Sequence, residues 1–399
     1  MKIFGIIAEY NPFHNGHKYQ LDVARSLGAT HIVAIMSPNF TQRGEPSITD
    51  KFYRSKAAIN SGVDLVIELP TYYALSSAEK FAFGAIYLLN KTNVIDNLIF
   101  GVEMNNLDLL NKIVNIIESD EFNKKLSQAL KYGLSFAKTR QCVLEKFLNN
   151  DIVQEITKPN NILAIEYIKS LKRLNSSITP LPIKRIGVNH NAENTFNQFT
   201  SALNLRKLAE NRKFKLEWEK FTPTSAYKIY EEAFKNGHLP ALEKIGERII
   251  LAHLRTLSIN NIKILPDISE GLEHRIFKSI QKASSLEEIY YNIKTKRYTM
   301  SRIKRIVYNS LLGINLEKSQ LLPQYIRILA SNKKGIAIIS KIKKSSNIPI
   351  SSSLKKLANL NNTAQILANI EVNATNIHSL FCNNISICNR DYNNFFNIT

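Results

Sequence analysis

Short apolar, β-branched runs alternate with stretches of helical period through the first half of the chain. Residues 2–8 (KIFGIIA), 31–37 (HIVAIMS), 64–69 (DLVIEL), 97–101 (NLIFG) and 180–186 (PLPIKRI) read as five strands. Between the first two, Leu21, Ala24 and Leu27 mark the inner face of a helix that opens at Asn15-Gly16-His17 and stops at Gly28. A second helix covers 50–60 and closes at Gly62. Ser76-Ser77-Ala78-Glu79 has the S-x-x-E form of a capping box and starts a third helix. Helical periods follow from about 106 to 174, and a further helix begins near Ser201.

Strands alternating with helices predict an α/β fold with a doubly wound, parallel five-stranded sheet. In such a sheet ligands sit beyond the carboxyl ends of the strands, where the strand order reverses. The loops at 9–16 and 37–44, together with Gly101, fall at that edge. From residue 213 the alternation stops. Helical patterns at 245–258 and 276–293, with a basic block at 294–305, predict an all-α C-terminal domain. The expected division is 1–212 for a nucleotide-binding catalytic domain and 213–399 for a helical, basic domain. The Asn-rich stretch from Asn373 predicts a weakly ordered tail, and no internal repeat is present.

Composition adds a partner. Of 399 residues, 53 are Lys or Arg and 33 are Asp or Glu, a formal charge of +20. A 44% hydrophobic content suffices for a core and excludes a disordered basic tail. The charge excess points to a polyanion, nucleic acid ahead of an acidic membrane, although a Lys/Asn/Ile-rich genome yields part of the same excess. Cys142, Cys382 and Cys388 make no disulfide framework and lack zinc-ligand spacing. No run reaches the ~18–20 apolar residues that span a bilayer. The apolar N-terminus, broken at Glu9, reads as a strand and not as a signal peptide. A soluble, cytoplasmic protein without a membrane partner is expected.

The richest motif is Asn11-Pro12-Phe13-His14-Asn15-Gly16-His17, between a strand and a helix. Gly16 lets backbone approach a ligand, and the free amides and dipole of the new helix favour an anion. Two imidazoles three residues apart there suit a nucleoside triphosphate attacked at its α-phosphorus, with catalysis by charge stabilisation and no protein nucleophile. A metal pair and two ordinary turn histidines are the competing readings; no third metal ligand is evident. Thr200-Ser201-Ala202-Leu203-Asn204-Leu205-Arg206 reads by its pattern as a Ser N-cap followed by a helix Arg. Gln42 and Arg43 lie in a polar loop that could serve RNA, an adenylate or only solvent. Lys296, Arg297, Arg302 and Arg305 form the densest basic block, an RNA-phosphate surface or a solvated helical face. His31, His238, His253, His274 and His378 read as structural, and Trp218 as packing.

H-x-G-H after a first strand is the signature of the HIGH nucleotidyltransferase superfamily. The second signature of that superfamily falls on residues 200–206, implying phosphate binding by Ser201 and an offset of pyrophosphate charge by Arg206. The longer string GIIAEYNPFHNGH, with NFTQRGEP at 39–46, GVDLVIELP at 62–70, PNNILAIEYIK at 159–169 and KTKRYTMSRIKR at 294–305, resembles the tRNA(Met) cytidine acetate ligase family. The likeness runs from residue 1 to about 350. It implies that acetate attacks the α-phosphate of ATP, giving acetyl-adenylate and pyrophosphate. The N4 amine of the wobble cytidine of elongator tRNA(Met) then takes the acetyl group and AMP leaves. It assigns His14 and His17 to catalysis. It assigns ATP binding to Ile7, Ala8, Glu9, Tyr10, Asn11, Pro12, Phe13, His14, Asn15, Gly16, His17, Lys18, Tyr19 and Gln20. Gly101, Asn160 or Asn161, Arg185, Ser201 and Arg206 complete that set. Mg2+ is expected with the ATP, with no protein ligands identified. Pro38, Val102 and the Val188-Asn189-His190-Asn191 stretch depart from the family pattern. A small-molecule adenylyltransferase and a non-catalytic, nucleotide-gated RNA-binding protein are the alternatives.

Overall fold

The computed structural model describes residues 1–185, 198–211, 214–269, 271–393 and 397–398. Ile186, the 188–191 stretch and the expected boundary at 212/213 lie outside them.

The five apolar runs form β1 (Ile3–Ala8), β2 (His31–Met36), β3 (Leu65–Glu68), β4 (Asn97–Val102) and β5 (Thr179–Lys184). All are parallel, in the order β5-β4-β1-β2-β3, so the strand order reverses between β1 and β4. Alternate residues feed two cores. Ile3, Val33, Ile35, Leu65 and Ile67 face one, and Phe4, Ile6, Ile32, Ala34 and Val66 face the other. Helices cover both faces, which is why these strands read as unbroken apolar runs. The register of β1 on β2, from Ile3↔His31 to Ala8↔Met36, brings the loops that follow them side by side.

The expected all-α C-terminal half is corrected. β6 (Ile326–Ser331) joins the same sheet antiparallel to β3, with Leu65 opposite Ser331, and β7 (Ile350–Ser351) and β8 (Asn397–Ile398) pair with β6. The sheet is mostly parallel and extends beyond five strands. β6 is buried along its whole length, and a short apolar run of that kind has no period to separate it from a helix. The helix expected at 276–293 is two, Leu272–Lys282 and Leu286–Ile293, because the Ser285 hydroxyl accepts from the Glu288 amide and starts a new one. The third helix, Ala78–Thr92, is capped by Ser77, one residue later than the S-x-x-E pattern suggests; the Ser76 hydroxyl donates to Tyr73 O.

Residues 373–393 of the expected weak tail are built into the fold. Helix Asn362–Ser379 buries Leu367, Ile370 and Ala374, and Asp391 enters the core as an ion-pair partner. Lys51 Nζ lies 2.5 Å from Glu68 Oε1 and 2.7 Å from Asp391 Oδ1. Arg327 Nη1 lies 2.8 Å from Glu68 Oε2 and also bonds Asp391. Burial would raise the Asp391 carboxyl, but Lys51 and Arg327 outweigh it and hold it at about 2. Among the described residues no helix is long and apolar enough to cross a membrane.

Candidate active site at the switch point

β1 ends at Ala8, and its loop turns through Tyr10 (φ 45°) and a cis Asn11–Pro12 bond into helix Asn15–Ser26. His14 is the N-cap: its Nδ1 accepts from the Gly16 amide at 3.0 Å, while His17 Nδ1 accepts from the His14 amide at 3.2 Å. A nitrogen that accepts carries no proton, so in neutral rings both protons sit on Nε2. The helix start therefore carries two ring N–H groups on Nε2, while the His14 and Gly16 amides are taken up by the rings themselves. The rings stack with centroids 3.9 Å apart, and Tyr10 meets His17 edge-on at 5.0 Å. Phe13 is buried with its amide donating to the Tyr230 hydroxyl at 2.7 Å. Asn15 Nδ2 donates to Gln198 O and Lys220 O.

The second loop is fastened to the first. Glu9 Oε1 accepts from the Gln42 amide at 2.9 Å. Beneath both loops lies Arg54, fully buried, whose guanidinium donates to the carbonyls of Glu9, Ser37, Pro38 and Thr49. Burial lowers it to about 10, with Tyr230, Asp50, Glu9 and Glu68 opposing the fall. Gly44 (φ 73°) touches helix Met300–Leu311 so closely that a Cβ would lie 2.5 Å from Arg305 N. Lys304 Nζ reaches Glu45 Oε1 at 3.0 Å. Burial works to raise Glu45, but Lys304 and Arg206 prevail and hold it below the usual carboxylate range.

The opposite wall comes from the end of β4 and the start of helix Pro159–Arg173. The two asparagines divide their work. Asn161 is fully buried: its Oδ1 accepts from the Glu103 and Met104 amides, both at 3.1 Å, and its Nδ2 donates to Glu155 O. Asn160 faces the cavity, donating to Glu103 Oε1 at 2.6 Å and accepting from Arg185 Nη1 at 3.2 Å. Gly101 leaves room for Arg185, whose Cγ would lie 3.1 Å from a Cβ there. Ser201 caps helix Ala202–Glu210. From that helix Arg206 Nη1 donates to Asn11 O at 2.9 Å, joining two segments far apart in sequence. Val102 is buried in the core behind this wall.

These groups enclose a cavity of about 400 Å³ at the β1/β4 reversal, in the size range of a small-molecule site. Ile7, Ala8, Glu9, Tyr10, Asn11 and the two histidines line it, with Gly16, Tyr19 and Gln20. So do Gly101, Asn160, Arg185, Ser201 and Arg206, and from the second loop Gln42 and Arg43. Pro12, Phe13, Asn15, Lys18 and Asn161 are not on its surface; Lys18 pairs with Asp22 on the helix exterior. The basic block lies elsewhere. Arg302 donates to Asp267 O and Ser269 Oγ, and Arg305 binds the Asp267 carboxylate and Gln42 O, so both guanidinium groups serve intramolecular bonds. Lys296 is exposed.

Sequence reasoning missed Arg54, whose only signal is a cation on a helix face otherwise rich in Ala and Ile. It also missed the apolar wall of Phe81, from helix Ala78–Thr92, and of Phe100, Leu163 and Tyr167, which the runs NLIFG and PNNILAIEY contain. His378 is buried and bonded to Ser47 O, and Trp218 is buried with Nε1 donating to Leu205 O, as structural and packing residues. Among the described residues no group of three His, Cys, Asp or Glu could hold a metal ion.

A parallel sheet with a phosphate-ready helix start at its reversal defines a nucleotide-handling α/β protein. The family model described as HIGH Nucleotidyl Transferase matches residues 1–393. The chain is 42% identical over 409 residues to the tRNA(Met) cytidine acetate ligase of Clostridium kluyveri, covering 98% of each. It is 40% identical over 400 residues to that of Thermoanaerobacter sp. (strain X514), again covering 98% of each. The crystal structure of Thermotoga maritima TmcAL bound with alpha-thio ATP superposes with a TM-score of 0.93 at 32% identity, over 100% of both chains. The chain belongs to the HIGH nucleotidyl transferase family and, within it, to the tRNA(Met) cytidine acetate ligase family.

Proposed function

We propose that this chain activates acetate with ATP and acetylates N4 of the wobble cytidine of elongator tRNA(Met). The observation that carries the reading is a helix start with two Nε2-protonated imidazoles on the switch-point cavity, in a chain aligned full length with ligases of that name. An acetate oxygen attacks the α-phosphorus of ATP, the bond to the β-phosphate oxygen breaks, and pyrophosphate leaves. The cytidine N4 lone pair then attacks the acetyl carbonyl carbon. The bond to the phosphate oxygen breaks, AMP leaves, and the amine gives up a proton. His14 and His17 donate to phosphate oxygens while the helix dipole favours the same charge. Arg206 offsets charge on the departing pyrophosphate. Asn160, Gly101 and Arg185 border the nucleoside, with Phe81, Phe100, Leu163 and Tyr167 against the base. Mg2+ would offset the charge of the triphosphate, and no three-ligand cluster among the described residues is assigned to hold it. Residues 1–212 supply most of this cavity and 213–399 the exposed Lys296 side of an RNA surface, in a cytoplasmic enzyme.

Exchange of labelled pyrophosphate into ATP tests the first step. The reading requires exchange that depends on acetate and proceeds without RNA. Exchange indifferent to acetate would favour a small-molecule adenylyltransferase, and no exchange with intact RNA binding a non-catalytic binder.

A further inference from the structure

Helices Asp120–Leu130 and Phe136–Leu144 form a hairpin inserted between β4 and β5, and its turn is unusual in what it exposes. Tyr132 is 85% exposed, Phe136 56% and Leu134 44%. Three exposed apolar side chains within five residues, two of them aromatic, single this turn out as a candidate contact surface. Its tip is one-signed, although Asp120 and Glu121 open the first helix and Glu121 pairs with Lys125. From Phe122 to Leu144 the chain carries Lys124, Lys125, Lys131, Lys138 and Arg140 and no Asp or Glu. Lys131 and Lys138 flank the aromatics and have no carboxylate partner among the described residues; the Lys138 ammonium meets Gln141 Oε1 at 3.2 Å.

The turn is rigidly tied to the cavity. Arg140, just over one turn into the second helix, binds Glu166 Oε1 at 2.9 Å. Glu166 lies six residues beyond Asn160 on the same helix, about 9 Å along its axis. Lys169 bridges Glu166 Oε2 (3.7 Å) and Glu79 Oε1 (2.6 Å), and Glu79 stands in the helix that gives Ala78 and Phe81 to the cavity wall. Three ion pairs, Arg140–Glu166, Glu166–Lys169 and Lys169–Glu79, therefore link the second helix of the hairpin to the cavity walls. Behind them Thr139, Val143 and Leu144 are buried, so the hairpin base is packed while its tip is not.

We infer that this tip is an RNA-contacting element: Tyr132 and Phe136 stack on unpaired bases beside the target cytidine, and Lys131 and Lys138 meet the flanking phosphates. The inference rests on the RNA-acetylating reading above and adds where the loop is held. Aromatic faces alternating with cations, without carboxylates, are the chemistry that binds single-stranded nucleic acid. A protein partner for so small an apolar patch would leave the one-signed charge without purpose.

The test uses the full-length protein and a synthetic hairpin carrying the tRNA(Met) anticodon stem-loop, with affinity read by fluorescence anisotropy. Tyr132→Ala and Phe136→Ala should each weaken binding about tenfold, the scale of one lost base stack. Tyr132→Phe should restore it, and the thermal midpoints should stay unchanged. Lys131→Gln and Lys138→Gln should each reduce the slope of log K against log salt by about 0.7. Unchanged affinity in the double aromatic variant overturns the inference, as does a change only in sedimentation, which would make the tip a contact between copies. Loss of pyrophosphate exchange together with RNA binding also overturns it, making the hairpin a support of the cavity. If the wild-type protein neither binds the hairpin nor acetylates tRNA, the ligase reading falls with it. If the wild type acetylates and the aromatic variant matches its KM for tRNA, only the tip falls.

Discussion

His14 and His17 stack with centroids 3.9 Å apart, and each gives its Nδ1 to a backbone amide of the helix it begins. The same two rings thus cap the helix and fix their own tautomers, and substitution separates the two roles. Asn is a strong N-cap without a ring donor, so His14→Asn should hold the thermal midpoint while pyrophosphate exchange falls by about 10²-fold or more. His17→Ala should abolish exchange and leave RNA affinity intact. Parallel loss of midpoint and exchange in His14→Asn would reduce that histidine to a cap.

The two neighbouring asparagines should fail differently. Asn161→Ala orphans the Glu103 and Met104 amides and should cost about 2 kcal/mol of stability, read by denaturant unfolding. Asn160→Ala should leave stability nearly unchanged and raise the KM for ATP. The reverse pattern would assign the cavity role to Asn161.

Much of this was legible because it is local. The strand–turn–helix around His14 needs only apolar alternation, a glycine and a helix period, all within twenty-six residues of the N-terminus. β6 was not legible: IRILAS is buried on every side, so no period marks it, and its partner β3 is distant in sequence. The buried cations were equally silent. Arg54 and Lys51 sit inside because loop carbonyls and two carboxylates converge on them, which only the assembled fold supplies. Asp391, in the Asn-rich stretch, is held by the same convergence of buried charges. Asn160 and Asn161 were indistinguishable as a sequence pair, since they differ only in which neighbours each meets.

The basic block divides along the same line. Arg305 holds Asp267 and Gln42 O, so Arg305→Gln should lower the thermal midpoint and raise the KM for ATP through the second loop. Lys296→Gln should leave both alone and reduce the salt slope of RNA binding by about 0.7. Equal salt slopes for the wild type and the Lys296 variant would remove that lysine from the RNA surface.

Two buried groups set opposite pH limits on stability. Burial is the main cause that lowers His378, from 6.5 to about 4, against opposing pulls from Ser47 O and Asp50. The unfolded chain therefore takes up a proton below 6.5 that the folded chain refuses until about 4, and stability falls as pH drops through that window. Glu371 is raised by burial, then by Glu68, from 4.5 to about 8. Its folded form keeps a proton that the unfolded chain releases, so stability falls as pH rises from 4.5 to 8. Thermal midpoints should fall less between pH 6.5 and 4 in His378→Gln, and less between pH 4.5 and 8 in Glu371→Gln, than in the wild type. Profiles unchanged from wild type would contradict both assignments.

The central claim is acetyl transfer to a tRNA base. The protein is incubated with labelled acetate, ATP and total tRNA, and the RNA is then digested to nucleosides and separated. The account predicts label in N4-acetylcytidine, confined to tRNA(Met) and absent when ATP is withheld. Protein that exchanges pyrophosphate with acetate yet leaves every cytidine unlabelled would contradict it.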